Sequence, residues 1–153
     1  MKNSLQIEPQ VYQELVDFYG QLFDMPPLSA KIYAYLAFDF ERKGLCFDDL
    51  VETFCASKSS ISASINFLLN AELIKSLNKI DERKRYFLIN EGFINIRFEE
   101  IVTRMKREIK ILDQLSEFRR TQVNNTEYEK RYSLYKSLLE KNIANIQETL
   151  DKL

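Results

Sequence analysis

The sequence has no histidine and no tryptophan, and only three glycines, three prolines and two cysteines in 153 residues. Without histidine, no Ser-His-Asp triad, Cys-His pair or His-ligated zinc site can be assembled. The two thiols, Cys46 and Cys55, cannot close a zinc site and are not spaced as CxxC. The scarcity of glycine removes a phosphate-cradling loop and argues against a turn-dense all-β chain. No stretch approaches the roughly 20 apolar residues that span a bilayer; the longest apolar run is 32–38. The first ten residues lack a basic segment followed by an apolar one, so no secretory leader is expected. These absences point to a cytoplasmic protein with reduced cysteines, no cofactor, no metal and no membrane partner. They also disfavour an enzyme, and the paired acids Asp48 and Asp49 are more simply read as the first turn of a helix.

What is present is 45% hydrophobic and 29% charged residues, a globular composition. The length suits one domain, or a small domain with a helical appendage, and is enough for a buried core. The net charge of −1 disfavours a wholesale polyanion binder but hides an uneven distribution. Residues 1–57 hold four bases and nine acids, residues 58–110 eleven bases and seven acids, and residues 111–153 seven of each.

Hydrophobic spacing and breaker residues give an order of elements. Glu8-Pro9 opens a first helix with Val11, Leu15, Phe18, Tyr19 and Leu22 at helical spacing. A second helix is expected over 28–40, with Gly44 as its stop, and a short third over 47–55. Ser57 is a good N-cap for a fourth helix over 58–71. The period then changes, and 73–80 and 85–89 read as a β-hairpin whose tip is Asp81-Glu82-Arg83-Lys84. Asn90 is placed to cap a long helix over 91–121, and a last helix follows from Glu127.

Two short helices joined by a tight turn, then a hairpin with a basic tip, describe a winged helix-turn-helix. On a helical wheel at roughly 100° per residue, Ser59, Ser62, Ala63, Asn66 and Asn70 of the fourth helix share one arc. Ile61, Ile65 and Leu68 lie opposite, with Leu69 at the edge and Phe67 off the apolar arc. Such a polar face is most often plain solvated surface. Its context is what singles it out: residues 58–85 hold six bases against three acids, and Arg83, Lys84 and Arg85 are consecutive at the hairpin tip.

The segment 18–89 resembles the MarR-type winged-helix regulators, nearest to the glycine-betaine regulator (GbsR-like) branch. The resemblance rests on Pro27 with Ser29-Ala30 and Ile32-Tyr33, on Asp48-Asp49-Leu50, and on Ser57-Lys58-Ser59-Ser60-Ile61-Ser62. It implies a dimeric transcription factor that binds double-stranded DNA, possible control by a small-molecule effector, and most simply a repressor. It implies DNA contacts at Ser57, Lys58, Ser59, Ser60, Ser62, Ala63 and Asn66 in the helix and at Arg83 and Lys84 in the wing; the charge run adds Arg85. The sequence departs from the family where glycine is common, at Cys55, Glu72 and Asp81. A non-glycine residue in the left-handed region costs about 1 kcal/mol, which points to altered turn geometry there. Only Asn66 and Asn70 could pair with adenine in bidentate fashion, and no arginine is available for guanine.

The expected fold is thus mainly α with a small β-hairpin wing, a winged helix-turn-helix plus long C-terminal dimerisation helices. Its parts are an N-terminal helix in 1–24 that packs on the dimerisation region, the DNA-binding domain in 25–90, and two dimerisation helices in 91–153. Phe98, Ile101, Met105, Leu112 and Leu115 follow steps of four and three, and Leu139, Ile143, Ile146 and Leu150 do much the same. A winged helix of some seventy residues could not cover both stripes, so the helices are expected to pack on each other and in a homodimer. An effector pocket is expected between the winged helix and the long helices, with Tyr12, Tyr19, Tyr33 and Tyr35 as candidate lining, although aromatic residues at helical spacing are more often core. Cys55 is weighed as a thiol sensor but reads more simply as a small buried turn residue. The competing functional reading is a winged-helix protein–protein module without DNA binding, favoured by the near-neutral charge and the arginine-free helix face.

Overall fold

A computed structural model describes residues 4–153. It divides into two compact units, one running to Glu91 and the other Gly92–Leu153.

The first unit contains α1 (Pro9–Leu22), α2 (Pro27–Leu36), β1 (Leu45–Cys46), α3 (Phe47–Phe54), α4 (Lys58–Asn70), β2 (Ile74–Asn78) and β3 (Arg85–Ile89). Pro9 stands at the first position of α1, and the Glu8 carboxylate accepts the Val11 N–H at 2.6 Å. The helix ends in a Schellman motif: Asp24 takes a left-handed φ of 49°, and Met25 N–H donates to the Gly20 carbonyl at 3.0 Å. α1 packs on α2. α2 is buried nearly all round, with Ile32, Ala34 and Leu36 sealed from solvent. Together with Leu45, Leu50, Ile61, Leu68 and Leu73 they form the centre of the core.

α2 is shorter than the spacing predicts. After Leu36 the chain loosens into i→i+3 bonds, Phe38 N–H to Tyr35 O and Asp39 N–H to Leu36 O. The Asp39 carboxylate then gathers the N–H groups of Lys43 and Gly44 at 3.1 and 2.8 Å. Gly44 is therefore not a helix stop. It has φ +76°, and a Cβ there would lie 2.9 Å from Tyr86 Cβ, so glycine is what lets the backbone approach β3.

That approach creates β1, a two-residue strand with no periodicity for a sequence reading to detect. The sheet is antiparallel in the order β1-β3-β2, with Leu45 opposite Phe87 and Ile74 opposite Ile89. The predicted hairpin is β2 and β3, with its first strand ending at Asn78 instead of 80. β3 is the central strand, which explains why Tyr86, Phe87 and Leu88 are all buried.

The second unit is an antiparallel helix pair, α5 (Phe93–Gln122) and α6 (Thr126–Leu150), joined by a turn at 123–125. Gly92, not Asn90, occupies the N-cap position of α5. The Asn90 side-chain amide donates to the Glu72 carbonyl at 2.9 Å. Asn125 caps α6 by accepting the Tyr128 N–H at 3.1 Å. Val102, Leu139 and Ile143 are buried between the helices. Polar ties flank them: Asp113 accepts from Tyr132 Oη at 2.7 Å and from Lys136 Nζ at 2.9 Å, and Glu129 pairs with Arg120 at 3.1 Å.

Candidate nucleic-acid interface

α3 and α4 meet at a turn whose pivot is Cys55, with φ 49°. The chain leaves it extended, and Ser57 caps α4: its Oγ accepts the Ser60 N–H at 3.2 Å. The Ser59 and Ser60 hydroxyls cluster on Ser57 Oγ at 3.2 and 2.8 Å. Past this cap α4 divides as the wheel predicts. Ile61, Ile65 and Leu68 are buried, Phe67 and Leu69 are half-buried, and Lys58, Ser59, Ser60, Ser62, Ala63, Asn66 and Asn70 are exposed. Ser64 is buried as well, a small residue where α4 lies against the core. The exposed face therefore carries one ammonium at its N-terminal end, three hydroxyls, a methyl and two amides. That N-terminal end also carries the positive pole of the helix dipole.

The altered geometry expected at the three non-glycine turns does not occur. Cys55, Glu72 and Asp81 take φ of 49°, 59° and 65°. Glu72 shows how this is held. It ends α4 in a Schellman motif, with Leu73 N–H donating to Leu68 O and Glu72 N–H to Leu69 O, both at 3.0 Å. Leu68 and Leu73, the apolar pair of that motif, are both buried, and Asn90 locks the Glu72 carbonyl from outside. The packing over-determines the turn and offsets its conformational cost.

The wing is built on Tyr86, buried at the second position of β3. Its hydroxyl donates to Glu82 at 2.5 Å, which pushes the phenol up to about 12. Lys79 Nζ lies 3.9 Å above its ring, and Arg85 lies over Phe87 at 5.3 Å. Lys79 and Arg85 are thus spread on rings of β3, whereas Arg83 and Lys84 are exposed and make no ion pair among the described residues. The structure thus places all ten sequence-predicted contact residues, Ser57, Lys58, Ser59, Ser60, Ser62, Ala63, Asn66, Arg83, Lys84 and Arg85, on the exposed surface of one unit.

Other expected sites divide. Cys55 is exposed, not buried, with its thiol directed to the Glu52 carbonyl at 3.5 Å. Cys46 is the buried one, and burial pushes its thiol up. Tyr19 and Tyr33 share a cavity of about 340 Å³ with Phe40, Asp39 and Arg42. Tyr12 and Tyr35 do not line that cavity; the Tyr35 hydroxyl accepts the Leu5 N–H at 3.0 Å. Of the expected dimerisation residues, Leu139 and Ile143 are buried within the single-chain helix pair, Leu115 is exposed, and Phe98, Ile101, Met105, Leu112, Ile146 and Leu150 are half-buried. Among the described residues no group of three or more potential ligands could hold a metal, and no helix is long and apolar enough to cross a membrane.

No family model and no curated relative matches this sequence. Among solved structures, the chain is similar to a crystal structure described as a transcriptional regulator, with a TM-score of 0.56 and 14% identity over 94% of this chain and 95% of the other. A lesser likeness, TM-score 0.44 at 17% identity over 87% of this chain and 90% of the other, is to MepR, described as a transcription regulator of the Staphylococcus aureus multidrug efflux pump MepA. A structure of MepR with DNA has a TM-score of 0.43 at 16% identity over 87% of this chain and 88% of the other. The fold is a winged helix-turn-helix, a mainly helical chain with a three-stranded antiparallel wing sheet, and it is shared with the first of these structures.

Proposed function

We propose that this chain is a sequence-specific DNA-binding transcriptional regulator of the MarR type, close to the GbsR-like branch, that works in the cytoplasm as a homodimer. The reading rests on one observation: the polar face of α4 and the free cations Arg83 and Lys84 are exposed on one unit while the opposite face of α4 is core. Short side chains on α4 let its backbone come close to base edges in the major groove. Asn66 and Asn70 supply the amides for adenine. Ser57, Lys58 and the first N–H groups of α4 suit a phosphate, and Arg83, Lys84 and Arg85 suit the flanking backbone or minor groove. With no arginine on the α4 face, backbone and shape terms carry more of the affinity than direct readout does.

The homodimer is supported by exposed apolar residues on the helix pair, among them Leu115, Phe118, Leu134 and Leu138. Two copies would present two recognition helices to two half-sites. The N-terminal helix α1 leaves Val11, Phe18 and Leu22 exposed at steps of seven and four, a second apolar stripe open to a partner copy. The cavity at Tyr19 and Tyr33 is the place for a small-molecule effector, and repression relieved by that effector is the simplest mode of action.

Duplexes recovered by the purified chain from a random pool test the reading. Their affinity should fall steeply with salt, and replacing both Arg83 and Lys84 by alanine should lower the log–log slope by about 2 per wing. A chain that retains no duplex at low salt refutes the proposal. Unchanged retention by the double variant would count against the wing contacts on which the reading relies, whereas the loss of all retention by the unaltered chain is the outcome that favours the protein–protein module.

A further inference from the structure

The wing tip carries a group that phosphate contact does not explain. Ile80 is 91% exposed, more than any other large apolar residue among those described. It sits at a corner of the tight turn 79–82, closed by Glu82 N–H to Lys79 O at 3.2 Å with Asp81 left-handed at φ 65°. A corner residue of such a turn projects its side chain outward. The turn is also held at both ends by one buried residue: Glu82 accepts the Tyr86 hydroxyl at 2.5 Å, and Lys79 lies 3.9 Å above the Tyr86 ring. An aliphatic prong is therefore fixed in place before any partner arrives. Residues 79–85 surround it with four bases and two acids, and one of those acids, Glu82, is already engaged by Tyr86.

A rigid apolar prong inside a cationic collar matches a polyanion that also offers an apolar interior. A neutral apolar protein surface offers the second without the first, and a phosphate track the first without the second. Duplex DNA offers both, because apolar side chains can enter the minor groove and wedge between stacked base pairs. We propose that Ile80 is a wedge that partly unstacks one base step beside the half-site, kinking the duplex while Arg83 and Lys84 hold the adjacent phosphates. The proposal rests on the DNA-binding reading and adds to it a residue that selects deformable sequence. Pyrimidine–purine steps unstack most readily, so a TA step is the expected target.

The test uses the full chain and duplexes it has recovered from a random pool. Permanganate reactivity reads unstacked thymines, and energy transfer between dyes at the two duplex ends reads bending. The wild type should make thymines at one step hyper-reactive and shorten the end-to-end distance. Ile80→Ala should lose both signals and Ile80→Leu should keep them. Burying the side chain and unstacking the bases oppose one another, so affinity for Ile80→Ala should change by less than about tenfold. Its melting temperature should not move, because the side chain touches no core. A bound wild type that leaves every thymine unreactive and the duplex straight overturns the wedge while leaving DNA binding intact. Equal reactivity in Ile80→Ala overturns it as well. Recovery of no duplex by the wild type overturns the DNA-binding reading and the wedge with it, which separates the two failures.

Discussion

Among the described residues, five other than glycine hold a left-handed backbone: Asp24, Arg42, Cys55, Glu72 and Asp81. Asp24 and Asp81 are of a type that tolerates the region, but Glu72 is not, and only packing holds it there. Glu72→Gly should therefore raise stability by about 1 kcal/mol, read as a higher urea midpoint with unchanged slope. A lower midpoint would mean that the exposed carboxylate contributes more than the backbone strain costs. Gly44 is the opposite case. Gly44→Ala meets Tyr86 Cβ at 2.9 Å and adopts a strained φ, so it should cost about 1–3 kcal/mol by the same measurement. In the sequence both positions stand out only as places where a family pattern has glycine or a helix has its stop. What the residues do is not legible there, because a left-handed conformation at Glu72 is imposed by Leu68, Leu73 and Asn90, two of them beyond the helix it ends.

Elements are legible where one segment carries its own signal. The Ser57 cap, the two-faced α4 and the hairpin all follow from spacing within a few residues. Ser57→Ala should cost about 1 kcal/mol, seen in thermal unfolding of the whole chain, with Ser57→Asp restoring most of it. β1 cannot be read, since its pairing partner lies some forty residues downstream and its length hides any alternation. The end of α2 escapes for a related reason: nearly every residue there is buried, so no polar face marks where the helix stops. The polar ties between α5 and α6 leave no periodic trace either, because they join residues well apart in the chain. Hydrogen bonds from Tyr132 and Lys136 lower Asp113, and the hydrogen bond from Arg120 lowers Glu129. Both carboxyls thus bind fewer protons folded than unfolded over the acid range. Their support of the helix pair is complete above the ordinary carboxylate range, about pH 4–4.5, and is lost as pH falls through the depressed folded values. Circular dichroism through an acid titration should show Asp113→Asn flattening that loss; a titration identical to wild type would show that the tie carries no stability.

For the molecule as a whole, the apolar stripes of 91–153 are legible and their destination is not. Spacing alone cannot say whether a stripe meets its own chain or another. The helix pair answers for some of it: Leu139 and Ile143 are buried within one chain. It leaves Leu115 44%, Phe118 62%, Leu134 74% and Leu138 55% exposed, two on each helix. Four large side chains in water on one helix pair are more than a solvated surface needs. Leu115→Glu with Leu138→Glu separates folding from association, because neither side chain is buried in the single chain and its charge can remain hydrated. The double variant should keep its helix content and sediment at about 18 kDa, against twice that mass for the wild type. Losing the second recognition helix removes the intramolecular second contact, so affinity for a two-half-site duplex should fall by about 10²–10⁴, while affinity for an isolated half-site changes little. If the variant still sediments as a dimer, the interface lies on another face, and α1 with its exposed Val11, Phe18 and Leu22 becomes the next surface to alter. If it is a monomer that binds both duplexes as before, DNA recognition does not depend on pairing two half-sites, and the functional role of the long helices must be sought elsewhere.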